Sequence, residues 1–358
     1  MAARPAPAAP AQGWAGLLVA LALFAAVPVL PPLRALLPVE QTLVLLLPVL
    51  AACCVAGWWF AGGASLLIGA AVAAIVAVLA VGRLLPADTR DVARAWGLLG
   101  AGVFGLVCVA GTQARSFFPR ALATVGLLVL LALVLVTVEG LPFSWLRDRM
   151  VGELAGRNAA AVLGVPARMQ PVNEWLHLPA EAAEAWAANY VHFLRQLSAL
   201  AIMLFPSLLA LELMAALALG WALYHRLSRT PIGPALAPFH RFTFSGQLLW
   251  GVAAGLALAL VPTLSPLAPL GVNLVGFFSA LFGVRGLAVI VWFTARRHWG
   301  VRAALIALLL LALSVAAFTA VELAVGLCLV LGMTDVVVDW RDLRPSAPEP
   351  ERARPGVQ

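Results

Sequence analysis

The chain has 358 residues, 63% of them hydrophobic and 11% charged, with a mean hydropathy of +1.00. A soluble globular domain runs at about 45–50% apolar and about 25% charged, so a soluble enzyme, a nucleic-acid-binding domain and a β-barrel are all excluded. The net charge of +7 comes from 23 Arg and no Lys against 16 acidic residues; scattered over many loops, they form no stripe for nucleic acid.

Residues 1–13 are rich in Ala and Pro and read as a disordered amino terminus. Apolar runs of the length that crosses ~30 Å of hydrocarbon at about 1.5 Å per residue follow at 14–30, 42–60, 64–81, 95–110 and 121–141. They define an amino-terminal five-span bundle over 14–141. Arg4 before the first run resembles the start of a secretory signal, but no convincing cleavage site follows and more spans do. Gly62 and Gly63 allow a tight hairpin between the second and third spans, since glycine accepts the positive φ of a sharp reversal. Cys53, Cys54, Cys108 and Cys328 sit inside apolar runs without a CxxC spacing, so they behave as small hydrophobes.

Residues 142–190 differ, carrying Arg147, Asp148, Arg149, Glu153, Arg157, Arg168, Glu174, Glu181 and Glu184. Such a segment cannot cross hydrocarbon and reads as an extracytoplasmic, interfacial helical insert. Ser144 is placed to cap a helix over 144–163, with Met150, Val151, Leu154, Ala155, Ala161 and Val162 on one half and Arg149, Glu153 and Arg157 on the other. That amphipathic pattern suits a helix lying on the membrane surface. A second helix is expected after Pro179, running into a span over 197–224 that Pro206 should kink.

Residues 191–344 form a carboxy-terminal membrane bundle with further spans at 247–264, 271–294 and 301–331. Gly283 and Gly286 are expected to interrupt the second of these. As one helix the last run would be about 46 Å long, so it must tilt, protrude or break in two. The fold class is therefore all-α, a polytopic bundle of about 8–10 spans with an amphipathic insert, ending in a disordered tail over 345–358.

Phe242-Thr243-Phe244, Gly271-Val272-Asn273-Leu274, Arg285-Gly286-Leu287-Ala288-Val289-Ile290, Gly332-Met333-Thr334-Asp335 and Asp339-Trp340-Arg341 follow one another through this part of the chain. In that order, over about 200–344, they resemble the YybS-like family, domain of unknown function 2232. The resemblance implies a multi-pass protein of a bacterial inner membrane and brings no assigned activity. Through the family, the chain is distantly similar to the substrate-binding membrane subunits of energy-coupling-factor transporters, an analogy of fold that carries no site.

Glu212, Arg285 and Glu322 lie within apolar runs, where a charge costs ~2.5–3.5 kcal/mol and needs a partner or water. With Asn273 at the start of a span they are the candidate ligand-binding residues. Their bland readings are a protonated glutamate bonded to a neighbouring helix, an arginine at the interface and a helix-capping asparagine. Because opposite charges offset part of that cost, Arg285 is expected to pair with Glu212 or Glu322 inside the bundle. Asp335, Asp339, Trp340 and Arg341 read as an interfacial anchor. Glu139, beside Gly140, reads as reaching the interface.

HExxH, GxSxG, a P-loop and a metal-ligand spacing of His are all missing from the sequence. No enzymatic activity, metal or cofactor is expected, and energised transport would need a separate energising or partner membrane subunit. The expected partners are the lipid bilayer and a small-molecule solute, with no nucleic acid. Two functions fit: a membrane component that binds or moves a small solute, and a non-transporting scaffold or regulatory partner protein.

Loops 225–245 and 296–302 hold nine Arg or His residues and no acidic one, which places both in the cytoplasm and, by counting spans, the amino terminus inside and 142–189 outside. Single cysteines at Ser228 and Asn173 in a Cys-free background should therefore label from opposite sides of the membrane. Labelling from one side overturns the span count.

Overall fold

An apolar run in hydrocarbon has one main backbone solution, the α-helix, because each N–H and C=O must find its partner within the segment. The computed structural model describes residues 14–26, 31–39, 42–62, 67–75, 87–111, 115–138, 143–164, 170, 177, 179–295 and 318–340. Among these there is no strand, and the fold is all-α. The chain divides into two compact units, Met1–Leu236 and Ala237–Gln358.

The first unit holds α1 (Trp14–Ala26), α2 (Pro31–Leu36), α3 (Thr42–Ala61), α4 (Ala87–Ala110), α5 (Phe117–Val138), α6 (Phe143–Leu163), α7 (Ala180–Met203) and α8 (Phe205–Leu227). Residues 67–75 are also helical. Of α8, 61% is buried, against 28% of Phe117–Val134 in α5, so α8 is the inner helix and α5 an outer one. Leu213, Leu217, Trp221 and Tyr224 of α8 are fully enclosed, and α3 lies along this helix. Gly220 makes that approach close: a Cβ there would stand 2.6 Å from the Val49 side chain. Exposed Leu127, Leu130, Leu133 and Val134 on α5 form the kind of surface that lipid covers, and exposed Trp58 and Trp59 end α3 as interfacial aromatics do. Gly62 takes φ +67° just after α3; Gly63, the other residue of the expected hairpin, lies outside the described residues.

One expectation changes here. The helix after Pro179 does not continue through Pro206 with a kink; it ends at Met203, and α8 begins at Phe205. Pro206 occupies the first turn of α8, where its missing N–H has no intrahelical partner to lose. Leu204 carries the break at φ −96° and ψ 13°, still bonded to the Leu200 carbonyl at 2.9 Å. The helix expected from a Ser144 cap starts at Phe143, and on its apolar side Leu154 is buried in a core with Val39, Leu45, Ala201, Phe205, Leu209 and Ala216.

The second unit holds α9 (Leu249–Leu260), α10 (Ala268–Ala295) and α11 (Phe318–Val338), with 3₁₀ turns at Phe239–Arg241, Gly246–Leu248 and Pro262–Leu267. With 12 residues, α9 is about 18 Å long, short of the hydrocarbon thickness, and Pro262 ends it. α10 packs against both α9 and α11. The expected interruption at Gly283 and Gly286 does not occur; α10 is continuous through it. The glycines that matter in this unit mark helix crossings, where the lack of a side chain lets backbones touch. A Cβ on Gly271 would stand 2.6 Å from the Gly255 carbonyl of α9, and the Cβ positions of Gly286 and Gly332 fall on the carbonyls of Cys328 and Phe282. Residues 301–317 lie outside the described residues, and α11 runs to Val338 rather than ending at Leu331.

Among the described residues three helical stretches are long and apolar enough to cross a membrane, and five shorter apolar helices accompany them. Gly286→Leu and Gly332→Leu should each destabilise the second unit at or beyond the upper end of ~1–3 kcal/mol, because the clash is with backbone. Gly283→Leu, with nothing within 4 Å of its Cβ position, should melt within a few degrees of the parent in a detergent thermal scan.

Candidate functional site

In the second unit, Arg285 stands in mid-α10 at 6% exposure, so a guanidinium there must find its acceptors inside the protein. Its Nε donates to Asp335 Oδ2 at 2.8 Å, Nη2 donates to the Asp335 carbonyl at 3.0 Å and Nη1 donates to the Phe244 carbonyl at 2.9 Å. The Phe244 ring lies 5.3 Å from the guanidinium carbon and 5.1 Å from the Phe282 ring. Asp335, at 1% exposure, uses its second oxygen to accept from the Trp340 N–H at 3.2 Å, and the Trp340 indole donates to Thr334 Oγ1 at 3.0 Å. Asp339, at φ 41°, provides the left-handed turn that ends α11. Residues 41 and 50 positions apart are thus tied to one arginine.

The expected partners of Arg285 are corrected by this geometry. Its carboxylate is that of Asp335, because α11 extends past Leu331 and carries Asp335 into the core beside the Gly286–Gly332 crossing. Glu322 belongs to α11, and its side chain lies outside the described residues, as do Arg341 and Glu139. Asn273 does not cap α10, which starts at Ala268; its amide donates to the Pro269 carbonyl at 2.9 Å, one turn back.

In the first unit, residues 37–39 of the junction between α2 and α3 are non-helical, and polar side chains converge on them. Arg157 of α6 donates to the carbonyls of Arg34, Leu37 and Pro38, and Asn158 donates to that of Ala35 at 3.2 Å. These satisfy the carbonyl end of α2, which has no intrahelical donors. Glu212 of α8 answers from the other side: its Oε2 accepts the Val39 N–H at 3.1 Å. Thr42, buried at the start of α3, donates to the Phe24 carbonyl of α1 at 2.7 Å. Glu212 is 5% exposed, and its Oε1 is buried with no hydrogen-bond partner among the described residues.

Sequence reasoning missed Arg157 as a donor, because on a helical wheel it reads as the outer face of a surface helix, and did not single out Asn158, which falls one turn after Leu154 on the apolar half. It also passed over Arg120, which is buried at 1% exposure with its guanidinium 5.2 Å from the Trp221 ring and beside Cys108. An arginine inside the first turns of an apolar helix was the available signal.

Phe244, Arg285, Gly286, Gly332 and Asp335 meet in space in the order-independent way a shared core does. Residues 176–336 match the family described as Predicted membrane protein (DUF2232). The match takes in Glu212, Arg285 and Asp335 and leaves out Val39, Arg157 and Asn158. No curated protein and no solved structure matches the chain.

Removing one side of the Arg285–Asp335 pair strands the other charge in the core, which typically costs ~3–5 kcal/mol. Arg285→Met should lower the midpoint of unfolding in detergent sharply, and adding Asp335→Leu should restore part of the loss. A double variant no better than the single one would show that the pair is not the stabilising element.

Proposed function

We propose that the protein is a multi-pass component of a bacterial inner membrane, amino terminus on the cytoplasmic side, that binds a small solute in its first unit around Glu212. One observation carries this reading: a carboxyl oxygen buried among apolar helices with no donor among the described residues. An unmade hydrogen bond of this kind costs ~1–3 kcal/mol, and such atoms gather where a ligand completes the set. The setting supports it, since non-helical backbone among membrane helices is tolerated where it is enclosed by protein or lines a cavity. Discontinuous helices of that kind form solute sites in transporters. Without an ATPase motif, movement of the solute would draw on a separate energising subunit or an ion gradient.

The competing reading is a scaffold that transports nothing. The second unit favours it, because Arg285 turns its donors to Asp335 and Phe244 rather than outward.

Mass spectrometry of the protein purified in mild detergent separates the two. A small molecule should co-purify with the parent and be lost from Glu212→Gln, whose affinity should fall by about ten- to a hundred-fold for a charged hydrogen bond worth ~1.5–3 kcal/mol. A protein partner retained by both forms, with no small molecule in either, would establish the scaffold.

A further inference from the structure

We infer that Glu212 is a proton-exchange site, with Oε1 the atom that takes and releases the proton, and that protonation loosens the junction between α2 and α3 from α8. This deepens the solute-binding reading by naming the proton as its coupling ion, and rests on that reading only for what the proton is coupled to.

The geometry divides the two carboxyl oxygens between two tasks. Oε2 is committed to the Val39 N–H at 3.1 Å, whereas Oε1 is buried and has no hydrogen-bond partner among the described residues. An ionised carboxylate is an acceptor only, with about four lone-pair sites to fill. Here one donor reaches it, so the ionised form is under-supplied. The neutral acid needs less: it has no charge to hold away from water, so a missing partner at Oε1 costs it less than it costs the carboxylate, and Oε2 keeps Val39 as a carbonyl oxygen would. One O–H bond forms, the carboxyl goes from a charge of −1 to zero, and no other covalent bond changes.

Of the charged residues around Glu212, Asp148 of α6 is exposed, and the side chains of Arg147, Arg149 and Glu153 of α6 and of Glu40, next to Val39, lie outside the described residues. Arg157 of α6 is the charged side chain that acts on it, and its guanidinium donates to the carbonyls of Arg34, Leu37 and Pro38. Arg34 of α2 stands at the same junction. α1 and α3 contain no Asp, Glu, Arg or His, and Arg120 of α5 lies over Trp221. On α7, Glu181, Glu184, His192 and Arg195 are exposed, and on α8 itself His225 and Arg226 follow only at the far end. On α4, the side chains of Asp88, Arg90, Asp91 and Arg94 lie outside the described residues.

The coupling follows from bond strength. A hydrogen bond from an N–H to an ionised carboxylate is roughly twice as strong as one to a neutral acceptor. With Glu212 ionised, Val39 is held firmly to α8, and the negative charge faces Arg157, whose donors hold the preceding carbonyls. With Glu212 neutral, both attractions weaken and the junction can part from α8. One proton thus changes the grip of two helices, α6 and α8, on the same short segment.

Infrared difference spectra of the full chain in lipid vesicles, taken between acidic and alkaline pH, test this directly. The parent should show the C=O band of a protonated carboxyl that appears with acid, is missing from Glu212→Gln and moves in frequency in Glu212→Asp. The Val39 amide should exchange with deuterium several-fold faster on the acid side, after correction for intrinsic rates. If Glu212→Gln proves unfolded, the moved band of Glu212→Asp still assigns the signal. A band that does not change with pH, or that responds to sodium at constant pH, overturns the proposal, the latter in favour of a metal cation. A pH-dependent band together with failure to find any co-purifying solute leaves the proton site standing and removes the solute reading. A retained solute without the band does the reverse.

Discussion

Hydrocarbon offers a peptide group nothing to bond to, and at several places where the described helices stop, polar side chains meet the backbone groups left over. The end of α1 is met by Thr42, the end of α2 by Arg157 and Asn158, and the Val39 N–H that follows by Glu212. In the second unit the Phe244 carbonyl is met by Arg285 and the turn after α11 by Asp335. Glu212 and Arg285, which a hydropathy profile registers as anomalies, are complements of backbone groups outside the helices. Their side chains arrive from helices distant in sequence, so each also fixes one helix against another.

The two units solve the problem with different electrostatics. Around Arg285 the charges cancel within one compact contact, with carboxylate, carbonyls and an aromatic face around a single guanidinium. Buried pairs of that kind hold geometry more reliably than they add stability, since desolvation offsets most of the attraction. Around Val39, Arg157 and Glu212 grip adjacent stretches of one segment rather than each other. The first arrangement has its bonds made. The second leaves a carboxyl oxygen over, and that asymmetry separates a tether from a site.

Much of the fold was legible, because the length of an apolar run and the alternatives open to a backbone in lipid are nearly the same information. The runs at 42–60, 95–110 and 121–141 became α3, α4 and α5 with ends displaced by up to eight residues. What the sequence could not resolve were the two meanings of glycine. Gly62 takes a positive φ and Gly286 marks a crossing, and nothing local distinguishes them; only the carbonyl of Cys328, 42 residues on, gives Gly286 its meaning. Reading Gly286 as a break put Arg285 near the membrane surface, and ending the last span at Leu331 put Asp335 outside it. Each residue was singled out, and the pairing was hidden by two misplaced helix ends. Arg157 was hidden differently: a wheel shows which side of a helix is polar, and cannot show that a bare carbonyl end waits there.

The exit of the chain from the second unit has a mechanical consequence. After α11 the backbone passes through Asp339 and Trp340, and Trp340 is anchored by its N–H to Asp335 and by its indole to Thr334. Tension applied to the residues beyond would reach the Trp340 bonds first, then Asp335, and through it the middle of α10 rather than the end of α11. The tail is attached, in effect, to the centre of the unit, so a pull on it loads the glycine crossing before it can unravel a helix.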